Sequence, residues 1–402
     1  MMFNPHHLPL PALLPSPSPS SAAAAVDMDP RVWRRLPQPL VDRVLACLPT
    51  PSFLRLRAAC RRFYGLLFSS PFLHSHLLLS PHLPFFAFAV PSAGHHLLLL
   101  DPTGDVPSWS RLPLPLPAAP GSFSPAAASA GLLAFVSDAS GHKTLLLANP
   151  ITRLLAPLPL CPNARLSPTV GLAAGPTSFI AVVAGDDLVS PFAVKNISAD
   201  TFVADAASVP PSGSSPFAVL VFDVAANVWS KLQPPMRRFL RSPALVELGG
   251  GRQTEARVGM VAAVEKSRLS VPRSVRIWTL RGGIHGHGGG AWTEVARMPP
   301  DVHDQFAAVE GGRGFECAAH GDFVVLAPRG AASPAPASVL VFDTRRDEWR
   351  WAPPCPYPYV GNGVGGGAGG GFRLFAYEPR LATPAIGLLD ATAPMALHGM
   401  QG

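Results

Sequence analysis

Thiols and imidazoles are the side chains of this 402-residue chain with the greatest capacity for metal or redox chemistry. Neither the cysteines nor the histidines have the spacing that a metal or redox site requires. The pair His285-Gly-His287 lies in a glycine-rich turn without a carboxylate or thiol at ligand spacing, so we interpret it as a surface loop. The cysteines form an odd, scattered set, which is typical of a reducing compartment: Cys47, Cys60, Cys161, Cys317 and Cys355.

Two acid–aromatic pairs share one spacing, Asp223-x₅-Trp229 and Asp343-x₅-Trp349. Because they recur within similar segments, we interpret them as repeat structure and not as catalytic groups. The sequence contains no Gly-x-Ser-x-Gly, phosphate-loop or dinucleotide fingerprint. We therefore expect a non-catalytic protein without a cofactor or metal.

A local excess of positive charge is the strongest electrostatic feature. Eleven basic residues and three acidic residues lie between Lys231 and Arg281, while the whole chain has a formal net charge of +7. Such an excess favours an acidic partner or phosphates, and the alternative is a solvated surface in an arginine-rich chain. On charge density alone, the candidate contacts are Arg237, Arg238, Arg241, Arg252, Lys266, Arg268 and Arg273.

The composition predicts many short strands joined by turns. Hydrophobic residues make up 48% of the chain and charged residues 14%, with 48 prolines and 36 glycines between the apolar runs. Residues 1–29 are predicted to be a disordered leader without the basic start of a signal peptide, and 391–402 a tail. The longest apolar runs are too short for a membrane span, so we expect a soluble intracellular protein.

One unit recurs from about residue 84 to 390. It consists of an apolar strand, often an Asp or Asn, a short turn, usually a Trp, and a second strand that ends in Pro. Its copies occupy 96–115, 144–161, 219–235, 275–300 and 339–354. The Asp or Asn would begin the turn and the Trp would pack between sheets. This spacing predicts an all-β kelch-type propeller of about six blades, with seven as an alternative.

The ends of the repeat region suggest how the ring closes. The last blade is expected to be completed by FRLFAYEP at 372–379, paired with FFAFAV at 85–90. The glycine-rich run at 361–371 is expected to be a flexible loop.

Residues 30–80 have helical periodicity instead. Leu40, Val44 and Leu48 define one face, and Leu56, Cys60, Phe63 and Leu67 define a second. We expect Pro49 and Pro51 to separate two helices and Pro71 to follow the second.

Residues 33–72, WRRLPQPLVDRVLACLPTPSFLRLRAACRRFYGLLFSSPF, resemble an F-box, although Phe63 stands where many F-boxes have Trp. The alternative is an ordinary helical hairpin packed on the propeller. The hallmark positions are Leu36-Pro37, Leu40, Val44-Leu45, Leu48-Pro49, Leu54, Leu56-Arg57, Cys60-Arg61, Phe63, Leu67 and Ser70-Pro71-Phe72.

An F-box implies binding to a Skp-type adaptor, which connects to a cullin scaffold. About 40 residues bury too little apolar surface to be stable alone, so an adaptor-covered face is physically reasonable. The residues expected in that face are Leu36, Pro37, Leu40, Leu45, Leu48, Pro49 and Leu56.

From residue 30 to about 390, the chain is similar to a plant group that includes UNUSUAL FLORAL ORGANS and its grass relative ABERRANT PANICLE ORGANIZATION. Like that group, it lacks most Gly-Gly and Tyr signatures of kelch repeats. The resemblance implies a nuclear protein, also possible in cytoplasm, that works with a LEAFY-type transcription factor in meristem and floral-organ fate.

Two functions are therefore expected from the resemblance. One is the substrate receptor of an SCF-type E3 ubiquitin ligase that also co-regulates the factor. The alternative is a transcriptional cofactor, with ligase activity secondary, whose propeller binds the factor while the basic loops contact DNA phosphates. A glycan-binding or glycan-oxidising propeller is a third class, but it would need a metal or radical site that the sequence does not indicate.

Overall fold

The structure is a computed structural model of the chain. It describes residues 35–81, 83–90, 96–114, 123–138, 141–165, 168–174, 179–186, 197–204, 219–223, 228–236, 240–249, 257–265, 272–281, 291–329, 338–357, 372–381 and 397–398. The predicted leader (1–29), the glycine-rich loop (361–371) and the turn with His285 and His287 lie outside these ranges. Within them, no helix has the length and apolarity needed to cross a membrane.

The N-terminal module is helical, as predicted. It contains α1 (Gln38–Ala46), α2 (Thr50–Leu56), α3 (Arg61–Gly65), a 3₁₀ turn (Leu66–Phe68) and α4 (Ser70–Leu79). Pro39, Pro51 and Pro71 all lie in the first turn of a helix. Proline is favoured there because its missing N–H has no intrahelical acceptor to lose.

The predicted helix boundaries were wrong in two respects. Pro49 lies between α1 and α2, as predicted, but Pro51 and Pro71 lie in the first turns of α2 and α4 rather than outside the helices. The expected continuous face from Leu56 to Leu67 is interrupted at Cys60, which has extended backbone and caps α3 by accepting a hydrogen bond from the Phe63 N–H at 3.4 Å. A cap residue stops one helix and starts the next, so the periodicity spans two short helices.

A mostly-β propeller follows the helical module. The described residues form five four-stranded antiparallel sheets. We call them blades 1 to 5 in the order in which they occur along the chain, and blades 1 and 3 each gain one further strand from the C-terminal part of the chain. Blade 1 contains β1 (Phe85–Ala89), β2 (His96–Asp101), β3 (Ser108–Pro113) and β23 (Arg373–Tyr377). Blade 2 contains β4 (Phe123–Ser129), β5 (Leu132–Ser137), β7 (Leu145–Asn149) and β8 (Leu154–Pro157). Beside blade 2, β6 (Gly141–His142) pairs with β9 (Ala164–Arg165).

The remaining blades follow in order. Blade 3 contains β10 (Thr169–Ala174), β11 (Phe179–Asp186), β12 (Ile197–Ala204) and β24 (Leu397–His398), and a separate hairpin follows with β13 (Val219–Asp223) and β14 (Val228–Leu232). Blade 4 contains β15 (Leu240–Leu248), β16 (Arg257–Glu265), β17 (Pro272–Arg281) and β18 (Ala291–Arg297). After α5 (Pro300–Glu310), blade 5 contains β19 (Phe315–His320), β20 (Phe323–Pro328), β21 (Leu340–Asp343) and β22 (Glu348–Trp351). Five full blades and one hairpin agree with the predicted count of about six.

All five copies of the sequence repeat are antiparallel hairpins, as predicted. The turns use the expected chemistry: the Asp343 carboxylate accepts hydrogen bonds from the Arg345 and Arg346 N–H groups, and Asn149 accepts one from Ile151. Trp109 returns on β3, where it is buried between blades 1 and 5, and its indole N–H donates to the Pro353 carbonyl at 2.7 Å. These residues are structural.

The ring closes where the sequence predicted. The C-terminal strand β23 pairs antiparallel with β1, with Phe85 opposite Tyr377 and Ala89 opposite Arg373. Residues 397–398 also pair with β12, so part of the segment assigned to a tail belongs to blade 3. Blades 1 and 3 therefore both combine strands from distant parts of the chain.

The core lies between neighbouring blades and follows the two-residue period of the strands. In β1, Phe86 and Phe88 pack toward blade 5, while Phe85, Ala87 and Ala89 pack toward blade 2. The first strands of the blades (β23, β4, β10, β15 and β19) are neighbours in space. Several are rich in alanine, and small side chains suit strands that approach one another closely.

Candidate adaptor-binding surface and basic segment

The helical module has a core of its own. Leu45 and Ala46 at the end of α1 pack with Phe53 of α2, Leu66 and Phe72, whose ring centroid lies 4.9 Å from that of Phe53. This core fixes α1 and α2 against α4. It also determines which side chains of α1 and α2 are left outside.

Apolar side chains on the outer faces of α1 and α2 remain open to solvent. Leu40 is 48% exposed, Val44 41% and Leu56 38%. Pro37 is also exposed, and Leu36, Leu48 and Pro49 are half-buried. Exposed leucines on helices whose opposite faces are packed are typical of a surface that binds another protein.

One predicted adaptor contact is corrected by the structure. Leu45 is only 6% exposed and belongs to the core of the module. It lies next to Val44 along the helix, so the two side chains point in different directions, Val44 outward and Leu45 inward. Leu45 therefore supports the surface instead of forming it.

Two exposed aromatic residues were not among the predicted sites. Tyr64 is 53% exposed and Phe68 72%, and their rings make an edge contact with centroids 5.5 Å apart. The sequence signal was available, because residues four apart on a helical segment lie on one face. The neighbouring hallmark residue Phe63 instead packs against the module's core.

The exposed face of the module is also basic. Residues 35–81 contain six arginines and one acid, Asp42, which is already paired with Arg62. The side chains of Arg43, Arg55, Arg57 and Arg61 are exposed. Exposed apolar groups together with exposed guanidinium groups favour a partner that offers both apolar surface and carboxylates.

Polar contacts hold the turn between α1 and α2. The Ser80 hydroxyl donates to the Leu48 carbonyl at 2.9 Å, and the ring of His76 also hydrogen-bonds the Leu48 backbone. His76 is buried between Phe53 and Phe72, at centroid distances of 5.9 and 6.0 Å. Burial lowers the pKa of His76 from 6.5 to about 4, although the hydrogen bond acts in the opposite direction.

The predicted basic segment is only partly described. Arg237, Arg238, Arg252, Lys266 and Arg268 lie outside the described residues, and Arg273 is described in its backbone alone. Their assignment stays a prediction.

Arg241 has a clear structural role. Its guanidinium lies 2.7 Å from the Glu310 carboxylate and 3.6 Å from that of Glu265, and its side chain is 20% exposed. Glu310 is almost fully buried and also accepts hydrogen bonds from the Gly312 and Gly314 N–H groups at the end of α5. Because two carboxylates already compensate its charge, Arg241 is a weak candidate for a phosphate contact.

Three of the five thiols, those of Cys161, Cys317 and Cys355, do not have the properties of reactive cysteines. Burial, assisted by Asp200, raises the pKa of the Cys161 thiol to about 12. Burial also raises the pKa of Cys317 and of Cys355. A raised pKa leaves little nucleophilic thiolate at neutral pH. Among the residues that the structure describes, no three His, Cys, Asp or Glu side chains are grouped so that they could hold a metal ion.

Comparison with known proteins adds independent information on both parts of the chain. Residues 33–75 match the F-box domain. ABERRANT PANICLE ORGANIZATION 1 of Oryza sativa subsp. japonica is 77% identical, over 99% of each chain, and the subsp. indica protein is equally similar. UNUSUAL FLORAL ORGANS of Arabidopsis thaliana is 42% identical over 90% of this chain and 88% of its own length.

Proposed function

The chain belongs to the plant F-box family of ABERRANT PANICLE ORGANIZATION 1 and UNUSUAL FLORAL ORGANS, and on this basis we propose that it is the substrate receptor of an SCF-type E3 ubiquitin ligase. The F-box binds a Skp-type adaptor, the adaptor binds a cullin scaffold, and the propeller holds the target. The chain itself performs no covalent step. The observation that carries this proposal is the exposure of Leu40, Val44 and Leu56 on the outer faces of α1 and α2.

The adaptor contact can be tested by placing charge on that face. A Leu40→Asp/Leu56→Asp variant of the full chain is expected to lose binding to a purified Skp-type adaptor, because two carboxylates would be buried in the interface. The matched control is Leu154→Asp/Leu160→Asp, which alters two propeller leucines that are 44% and 56% exposed. Unchanged adaptor affinity of the first variant would exclude this face as the binding site.

We propose that the propeller binds a LEAFY-type transcription factor. We also propose that the chain is located in the nucleus and in the cytoplasm. In this role the chain controls inflorescence meristem fate and floral organ identity. The names of its relatives, which refer to panicle organisation and floral organs, support this part of the proposal. Co-purification of factor and full chain is the test, and failure of the two purified proteins to associate would count against it.

A transcriptional cofactor is the second candidate function. The local basic excess between Lys231 and Arg281 favours it, because arginines next to a bound factor can contact DNA phosphates without reading sequence. In this function the ligase role is secondary. The two functions separate in a factor–DNA binding assay: the cofactor requires the propeller and the basic segment, whereas the receptor requires the outer face of the F-box.

A further inference from the structure

A short segment after the closing strand of the propeller enters the core of the F-box. This bridge segment, Glu378–Leu381, directly follows β23. Leu381 is 2% exposed and packs in the cluster that contains Leu45, Phe53 and Phe72. The F-box core is therefore built from both ends of the chain.

Polar contacts attach the bridge segment on two sides. On the F-box side, the Thr50 hydroxyl donates to the Pro379 carbonyl at 2.8 Å. On the propeller side, the Asn149 side-chain amide donates to the Arg380 carbonyl at 3.3 Å, and Asn149 ends β7 of blade 2. The Arg380 and Glu378 side chains form an ion pair at 2.9 Å that is mostly buried.

Blade 2 also approaches the bridge segment closely through Gly131, in the turn between β4 and β5. Gly131 has a φ of +85°, and a Cβ at this position would lie 2.9 Å from the Cβ of Arg380. Only glycine has both the backbone freedom and the space for this contact. The segment is thus held between blade 2 and α2.

We propose that the bridge segment is a positioning element that couples closure of the propeller to adaptor binding by the F-box. The inference rests on the proposed receptor function. Pairing of β23 with β1 closes the ring and places Leu381 at the F-box. Leu381 supports Leu45 and Ala46 at the end of α1, and α1 displays Leu40 and Val44 to the adaptor.

This arrangement has a consequence for incomplete molecules. A chain that lacks β23, or whose ring has not closed, has an F-box without one of its core residues. Such a chain binds the adaptor poorly, so the ligase assembles preferentially on receptors whose substrate-binding propeller is complete.

The test compares Leu381→Ala with Leu326→Ala in the full chain. Leu326 is fully buried in the core between blades 4 and 5, so its truncation controls for a general loss of stability. Amide hydrogen exchange of each helix and blade is measured together with affinity for a purified Skp-type adaptor. For Leu381→Ala we expect exchange in α1 and α2 to accelerate about tenfold or more, with weaker adaptor binding and little change in blades 4 and 5. Leu326→Ala is expected to have the opposite pattern.

Thr50→Val provides a variant that keeps the shape of the side chain and removes the hydrogen bond to Pro379. We expect its adaptor affinity to fall about tenfold, because the buried carbonyl loses its partner. The coupling would be overturned if amide exchange in α1 and α2 of the Leu381→Ala chain were as slow as in the wild type. It would also be overturned if Leu326→Ala weakened adaptor binding as much as Leu381→Ala does. Failure of the wild-type chain to bind the adaptor would reject the proposed function, whereas the exchange pattern would still test whether the bridge segment supports α1.

Discussion

The hydroxyl of Thr50 and the carbonyl of Pro379 are joined by a buried 2.8 Å hydrogen bond across 329 positions of sequence. Thr50 is the first residue of α2 in the F-box, and Pro379 follows β23, the C-terminal strand that closes blade 1. The adaptor-facing helices and the propeller are thereby fixed to each other, a suitable arrangement for a receptor that holds a target in one orientation relative to its ligase.

Truncation at the start of the F-box tests the predicted adaptor residues. Leu36→Ala with Pro37→Ala is expected to abolish adaptor co-precipitation, because both side chains lie at the open end of α1 and Pro37 precedes its first turn. Thermal unfolding should change less than for a core truncation, since Pro37 is exposed and Leu36 is only half-buried. Retained co-precipitation at wild-type levels would remove these two residues from the interface.

Leu45→Ala is expected to behave differently. Leu45 is packed in the core, so its truncation should lower the free energy of unfolding by roughly 2–5 kcal/mol. Chemical denaturation of the purified chain measures this loss. A stable Leu45→Ala protein with impaired adaptor binding would restore the original assignment of Leu45 to the interface.

His76 should make stability depend on pH. Its pKa is lowered to about 4 in the folded chain, so between about pH 6.5 and 4 the unfolded chain binds more protons. The contribution of His76 to the free energy of unfolding is therefore fully present above pH 6.5 and is lost as the pH falls toward 4, by roughly 2–3 kcal/mol at pH 4.5.

Denaturation at pH 7 and pH 4.5 measures the effect. A His76→Gln variant serves as the reference, and its stability should fall less than that of the wild type over the same interval. Equal pH slopes for the two proteins would show that His76 is not the titrating group.

The ion pair of Arg241 and Glu310 makes a prediction about stability. Arg241→Ala is expected to lower the free energy of unfolding by about 2 kcal/mol, because the nearly buried Glu310 carboxylate loses its charged partner. Arg297→Ala is the matched control: its side chain is 55% exposed and paired with Glu294, so its loss should be within about 1 kcal/mol. Comparable losses for the two variants would contradict a structural role for Arg241.

The other predicted phosphate contacts can be tested without disturbing that pair. The charge-reversal set contains Arg237, Arg238, Arg252, Lys266, Arg268 and Arg273, each changed to Glu, with Arg241 retained. If these residues contact DNA, binding of the chain–factor complex to DNA should weaken, and the salt dependence should decrease by about 0.9 per lost contact. Unchanged DNA binding would identify the segment as solvated surface.

The hairpins of the propeller could be predicted because their signals are local. An Asp or Asn at the end of a strand accepts hydrogen bonds from the next residues, as Asn149 and Asp343 do, and the apolar runs on both sides indicate the strands. The same locality makes F-box recognition possible, since its hallmark positions fall within about 40 residues of sequence.

Other features could not be predicted, because the residues that stabilise them are far away in the sequence. The strand β4 reads FSPAAAS, a composition without strand periodicity that is stabilised by its neighbours in the propeller. The helix α5 was also missed; it buries His303, Phe306 and Glu310, of which only Phe306 is apolar. The position of Leu381 in the F-box core depends on closure of the entire ring.

We expect one molecule to bind the adaptor and the target at separate places. The most direct measurement is size-exclusion chromatography of the full chain mixed with a Skp-type adaptor and a LEAFY-type factor. We expect the three proteins to elute as one complex, and the Leu40→Asp/Leu56→Asp chain to lose the adaptor while it keeps the factor. Retention of the adaptor by that variant, or mutually exclusive binding of adaptor and factor to the wild-type chain, would contradict the account.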